Sequence, residues 1–339
     1  MSNIAWNVRR ERNRVLLIVE GKHEKEKLLT RMLTSFPEIN IEIDNIWIYE
    51  TNIYMLISKI IQEYGEDWFE QDIDLPYLIG KAKQLPVRET KKNYTNIFLI
   101  FDYERHDPNF SEQNILRMQE YFSSAEDVGK LYVNYPMVES YMDFSFPPDE
   151  ALKSKTVSSL MQNGNEYKNT IKTTFVSTLI HHPIKIHDIL VENYGVDDSV
   201  AKNFVEQLVN KKDISTLTDF IEQQLTGVVE DKDLKTFSRQ LFYMVSSLKY
   251  MENSNTYNSY MRDVFKVIVC HNIRKANRIQ NGVYDCDNQF LKELFANLNE
   301  HDILSKQNAT SDFNGMATIS VLNTSVFILP EYNTNLVFG

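Results

Sequence analysis

Two short apolar runs in this sequence stop abruptly at acids. Val15–Val19 (VLLIV) is followed by Glu20 and Gly21, and Ile97–Phe101 (IFLIF) by Asp102, Tyr103 and Glu104. If both runs are buried strands of one parallel sheet, the acids fall at the carboxyl ends, where open α/β sheets bind their ligands. Carboxylates gathered in one crevice repel one another unless a cation neutralises them. Oxygen-only ligands with room for water suit Mg²⁺ or Mn²⁺ rather than zinc. A centre of that kind is suited to reactions at phosphate esters, where it activates water and stabilises the leaving oxygen. Glu24 lies one helical turn after Glu20 and can face the same crevice. Asp107, and Glu139 after a later strand, are further candidates for the acidic cluster.

The elements that must position these acids follow from hydrophobic periodicity. The stretches around 15–19, 46–50, 96–102 and 130–137 read as strands. Between them, Leu28, Leu29, Met32 and Leu33 form one helical stripe and Ile53, Leu56, Ile57, Ile60, Ile61 and Tyr64 another. Thr51 is placed to cap the second of these helices, and Ser111 the helix over Asn114–Tyr121. Alternating strands and helices imply an α/β domain over 1–148, a parallel sheet with helices on both faces. An irregular insertion is expected at about 66–93. From 149 to 339 helical periodicity dominates, with segments at roughly 166–180, 185–194, 197–210, 213–226, 231–251, 257–278 and 288–298. A β-rich tail is expected at 317–330.

Composition bounds the rest. The chain has 339 residues, 42% of them hydrophobic and 24% charged, which is ordinary for a globular protein. No run of 18 apolar residues occurs, so no membrane span or membrane partner is expected. The N-terminus lacks the apolar core of a secretion signal. Cys270 and Cys286 are too few for a disulfide framework or a zinc site. A reducing, cytoplasmic location is expected. The net charge of −11 argues against a general polyanion binder, because phosphate contacts need Lys and Arg. Two segments are locally basic, however: 9–31, with Arg9, Arg10, Arg12, Arg14, Lys22, Lys25, Lys27 and Arg31, and 262–278. In the second, His271, Lys275 and Arg278 share a helix face at spacings of four and three, beside Arg274. Lys22, His271, Arg274, Lys275 and Arg278 are therefore the candidate nucleic-acid contacts. No GxxxxGK[ST] phosphate loop is present.

The pair VEGKHE (Val19, Glu20, Gly21, Glu24) and FDYERHD (Asp102, Glu104, Asp107), each after a strand, resembles the Toprim domain. That domain is shared by topoisomerases, primases, RNA-maturation nucleases and the overcoming-lysogenization-defect family. The resemblance spans about 14–145, and it implies that Glu20 is a general acid/base or metal-contacting carboxylate, with Glu24 beside it. Asp102 and Glu104 would hold Mg²⁺, or Mn²⁺ in its place. Glu104 departs from the family pattern, which has aspartate there and therefore one methylene less reach. A Toprim domain with an added helical half and no fused ATPase is similar to bacterial anti-phage effectors. Such effectors cut tRNA or DNA and pair with a separate ABC-type ATPase. The expectation is thus a metal-dependent endonuclease. The alternative is a catalytically silent Toprim-like module that binds nucleic acid or regulates a partner.

Overall fold

The computed structural model describes residues 14–22, 24–39, 41, 45–84, 89–145, 150–159, 164–251, 254–311 and 317–339. Arg9, Arg10 and Arg12 of the first basic segment, and His23 of VEGKHE, lie outside the described residues.

The apolar run Val15–Val19 forms β1 and is buried throughout. A π-helical turn, Glu24–Leu29, leads from it into α1 (Thr30–Ser35). β2 is Ile46–Ile48 and α2 is Ile53–Tyr64. The expected cap at Thr51 is displaced by one residue: Asn52 accepts the backbone N–H of Met55 at 3.1 Å, as an N-cap side chain does. The segment read as an irregular insertion instead carries a helix, α3 (Leu75–Ala82), with Asp74 as its cap. β3 is Asn96–Asp102, and Ser111 caps α4 (Glu112–Tyr121) as its sequence indicates. A two-residue strand β4 (Ser123–Ser124) precedes β5 (Gly129–Asn134).

These five strands form one sheet in the order β2-β1-β3-β5-β4. All pairings are parallel except β4 with β5. β1 and β3 are central and lack solvent-facing residues along almost their whole length. That explains why they read as continuous apolar runs rather than alternating ones. Val19 pairs with Ile100, and Asp102 with Asn134. The carboxyl ends of β1, β3 and β5 therefore lie side by side.

The rest of the chain is mainly helical. β6 (Thr156–Ser158) is followed by α5 (Gly164–Ile171), α6 (Phe175–Asp188), α7 (Asp198–Leu208), α8 (Leu217–Leu225), α9 (Asp231–Leu248), α10 (Tyr257–Asn281), α11 (Leu291–Ala296) and α12 (Glu300–Ser311). The helix expected over 166–180 is broken at 172–174, where Thr174 caps α6. The β-rich tail is corrected to a single short strand, β7 (Thr318–Ser320), antiparallel to β6. Beyond it come a 3₁₀ turn, α13 (Ile328–Tyr332) and α14 (Asn335–Phe338).

The helical part packs onto the sheet part rather than standing apart from it. α10 lies against α1, and α12 against α4. One apolar cluster runs from Leu16 and Phe98 in the sheet to Phe265 and Ile268 in α10 and Phe327 near the C-terminus. Phe36, Tyr141 and Phe265 form a stacked or edge-on aromatic series across that junction. No described helix is long and apolar enough to cross a membrane. Cys270 and Cys286 are both free thiols.

Gly129 fixes the start of β5. Its φ of +120° lies in a region that side chains rarely adopt, and a β-carbon there would sit 2.8 Å from Leu99 Cδ1. Gly129→Ala is expected to lower unfolding free energy by about 2–4 kcal/mol in a urea titration, from backbone strain and overpacking together. A loss within error of zero would contradict this packing of β5 on β3.

Candidate carboxylate site

The site is built at the carboxyl edge of the sheet. After Val19 the chain leaves β1 through Glu20 and Gly21. Backbone bonds from Tyr49 to the Val19 carbonyl (2.7 Å) and from Glu50 to the Glu20 carbonyl (2.8 Å) continue the β1–β2 pairing past the strand end. The Glu20 carboxylate turns toward β3 and accepts the Asp102 N–H through Oε2 at 3.3 Å. The wide π-helical turn that follows folds Glu24 back, so that its Oε2 accepts the Gly21 N–H at 2.8 Å. A β-carbon at position 21 would lie 3.2 Å from that oxygen, so any larger residue there would push the Glu24 carboxylate slightly away. π-Turns of this kind are frequent at functional sites.

Asp102 ends β3 and is buried. Its Oδ1 accepts the Val138 N–H at 2.7 Å, which ties it to the turn after β5. That turn (Val138–Met142) carries Glu139, only 2% exposed. Glu104 and Asp107, half-buried, are gathered by one amide: Asn52 Nδ2 donates to Glu104 Oε2 at 3.0 Å and to Asp107 Oδ2 at 2.6 Å. Thus β1, α2, β3 and the turn after β5 bring Glu20, Glu24, Asp102, Glu104, Asp107 and Glu139 to one edge.

Electrostatics confirms that these groups feel one another. Burial, then the charges of Glu104 and Glu24, push the Glu20 carboxyl up to about 8. Burial and the charges of Glu20, Glu24 and Glu139 raise Asp102 well above the ordinary carboxylate range. Glu24 is raised mainly by burial, with Glu139 adding to it. Desolvated like charges favour the protonated form or an added cation.

Among the described residues, a cation brought to these acids is Lys168, which lies in no motif. It projects from α5, with Nζ 2.9 Å from Glu139 Oε1. Burial alone would lower its pKa, but Glu139, Asp102 and Glu24 raise it overall. Its charge also lowers the pKa of Glu20. Asn52 was missed as well, although an Asn before a helical stripe is a capping signal. Neither residue lies in a motif; each is brought in by tertiary packing.

A second set of residues outside the sheet fixes the turn that bears Glu139. Asn323, fully buried, donates through Nδ2 to the Val138 carbonyl at 2.7 Å and to Ser140 Oγ at 3.3 Å. Its own N–H is held by Asn272 Oδ1 of α10 at 2.8 Å. Thr324 Oγ1 donates to the Val133 carbonyl, and Ser325 Oγ to Asn134 Oδ1, both at 2.8 Å. The C-terminal segment thus clamps the end of β5.

Among the described residues, no group of three or more His, Cys, Asp or Glu side chains is arranged as a ready cage for a metal ion. Five of these carboxylates are turned to a donor of the protein: Glu20 to Asp102 N–H, Glu24 to Gly21 N–H, Asp102 to Val138 N–H, and Glu104 and Asp107 to Asn52. The chemistry of the set nevertheless fits a hard cation. It consists of oxygen donors, three of them with raised pKa values, and the buried Glu139 oxygens accept no aligned hydrogen bond within the described chain.

The basic helix face expected over 271–278 is corrected. His271 and Lys275 are buried. His271 Nδ1 meets the Tyr284 hydroxyl at 2.7 Å. Lys275 Nζ donates to the carbonyls of Leu152, Lys153 and Lys155 at 2.9–3.0 Å, and burial pulls its pKa down to about 8. Arg278 donates to the Lys153 carbonyl at 2.7 Å, and Arg274 to the Cys286 carbonyl and Asn288. These cations hold loops onto α10 and are not presented as a phosphate-binding face. Lys22, beside Glu20, is exposed.

The raised carboxyls carry a stability signature. Between its ordinary value of 4.5 and about 8, Glu20 binds a proton in the folded state that the unfolded chain releases. Stability without metal must therefore fall as pH rises through that window. His182, held down near 4 by burial, acts oppositely, but only below about 6.5. Between pH 6.5 and 8 in chelator, the melting temperature should drop, and Glu20→Gln should remove much of the slope. Identical slopes for the parent and Glu20→Gln would contradict the assignment.

In comparison with known proteins, no family model, curated protein or solved structure matches the chain.

Proposed function

We propose that the protein is a Toprim-type nuclease, cleaving the phosphodiester backbone of RNA such as tRNA, or of DNA, with Mg²⁺ or Mn²⁺. The observation that carries this reading is that Glu20 and Asp102 end adjacent parallel strands and lie in contact, with Glu24, Glu104 and Glu139 around them. The order of the motifs along the chain and their places at strand ends agree with the resemblance drawn from VEGKHE and FDYERHD.

Asp102 and Glu104, with Glu20, are the residues that would hold the ion. Bound there, the ion would supply neutralisation of the carboxylates and of the phosphate under attack. Glu20 is suited to hold and release a proton near neutral pH, as general acid/base work requires. Glu24 is anchored to the Gly21 N–H and so sets a second carboxylate beside Glu20. Lys168, paired with Glu139 at the edge of the cluster, would offer a positive charge to a phosphate oxygen bound there. Asn52 holds Glu104 and Asp107 through one amide, and so compensates for the longer reach of glutamate at 104 by fixing its oxygen. Lys22 is placed to meet a flanking phosphate.

In this reading the chain acts in the cytoplasm as an effector of anti-phage defence, with a separate ABC-type ATPase as its partner. A second reading is favoured by one observation. Glu104, where the Toprim pattern has aspartate, is already hydrogen-bonded to Asn52 together with Asp107. A site closed in that way would suit a silent nucleic-acid-binding or regulatory module.

The readings separate on cleavage of supercoiled plasmid and bulk tRNA with Mg²⁺ or Mn²⁺. Under the nuclease reading, Glu20→Ala and Asp102→Ala each lower the rate by about 10³-fold or more while the protein stays folded. Retention of full metal-dependent cleavage by Glu20→Ala would refute the assignment of this site. Absence of cleavage in the parent would leave the silent module.

A further inference from the structure

The carboxylate crevice depends on a lysine that comes from a very short helix. α5 (Gly164–Ile171) has eight residues, well below the length at which an isolated helix is stable in water. Something other than its own hydrogen bonds must therefore fix its position. Two successive residues of α5 bind the same segment of the sheet domain. Lys168 pairs with Glu139, and Tyr167 donates its hydroxyl to Asp143 Oδ2 at 2.8 Å. Glu139 and Asp143 are four residues apart, and both are 2% exposed.

Asp143 takes no part in the acidic cluster, because its oxygens are committed elsewhere. Lys155 Nζ donates to Oδ1 at 2.5 Å, while Tyr167 occupies Oδ2. Lys155 is in turn held at its carbonyl by Lys275 Nζ (3.0 Å) and the Val321 N–H (3.1 Å). Tyr167 is itself 2% exposed. Just beyond α5, Thr174 Oγ1 donates to the Met142 carbonyl at 2.6 Å and to the Ile171 carbonyl, at the end of α5, at 2.9 Å.

We propose that Tyr167 and Asp143 are positioning residues, whose buried hydrogen bond fixes the register of α5 and so holds the Lys168 amine among Glu139, Asp102, Glu24 and Glu20. A lysine has four rotatable bonds and gives up substantial rotamer freedom when ordered. Anchoring the adjacent residue places the start of that side chain, so only the side chain itself remains to be ordered. The hydroxyl of Tyr167 is the part that matters: its ring fills the same space in phenylalanine, but without the bond to Asp143. The consequence for catalysis rests on the nuclease reading above; the positioning itself does not.

The test uses the full chain and two readouts. The first needs neither metal nor substrate. Acetylation of individual lysines by acetic anhydride is followed by mass spectrometry in chelator, with exposed Lys22 as the internal reference. Tyr167→Phe and Asp143→Asn are expected to raise the labelling rate of Lys168 about five- to tenfold, the loss of one buried hydrogen bond, and to leave Lys22 unchanged. An unchanged Lys168 rate in folded Tyr167→Phe overturns the proposal.

The second readout is a cycle of Tyr167→Phe, Lys168→Ala and the double variant in Mn²⁺-dependent plasmid or tRNA cleavage. Tyr167→Phe should slow the parent about five- to tenfold and the Lys168→Ala background less than twofold, because the hydroxyl acts through the amine. An equal loss in both backgrounds overturns the proposal. If Lys168 labelling rises but the parent cuts neither probe, the positioning stands and the nuclease reading fails.

Discussion

Everything at this site follows from placing several carboxylates where water cannot fully solvate them. β1 and β3 are buried central strands, so an acid that ends either one has lost much of its hydration and faces its neighbour's charge. The protein responds in three ways. It raises the proton affinity of Glu20, Glu24 and Asp102, it donates backbone N–H groups to all three, and it brings in the ammonium group of Lys168. None of these fully compensates a buried cluster of like charges. Groups perturbed in this way collect at functional sites more often than at structural ones.

The helical part of the chain is best understood as the frame that fixes this cluster. The turn bearing Glu139 is held from outside the sheet by Asn323, which is held in turn by Asn272 of α10. The cations of α10 fix the loop from which Lys155 reaches Asp143. A buried lysine that donates to three carbonyls spends all its donors internally, so the charge of Lys275 serves the architecture. The sheet supplies the acids, and the helices supply the order in which they are held.

Much of the sheet and its acids was legible in the sequence because the relevant physics is local. A fully apolar β-rich run that ends in Glu-Gly or in Asp can be read as a buried strand with an acid at its carboxyl end. Where residues meet only in the folded chain, the sequence was silent. Lys168 sits 29 positions beyond Glu139 in a segment whose periodicity indicates a helix but not what that helix packs against, and only the docking of α5 brings the two together. The tail misled because its β-branched residues suit strands, whereas Asn323, Thr324 and Ser325 are buried in a 3₁₀ approach that satisfies β5; tertiary context overrode propensity. The 271–278 stripe misled for a related reason. Spacing places charges on one helix face, but it does not say whether that face points to solvent or into loops.

The most direct test of the central claim is the anomalous diffraction of crystals soaked in Mn²⁺. The account predicts one or more peaks bounded by the Glu20 and Asp102 carboxylates at about 2.0–2.4 Å from their oxygens. Soaked crystals with no peak at the ends of β1 and β3, or with manganese bound only elsewhere on the chain, would contradict it.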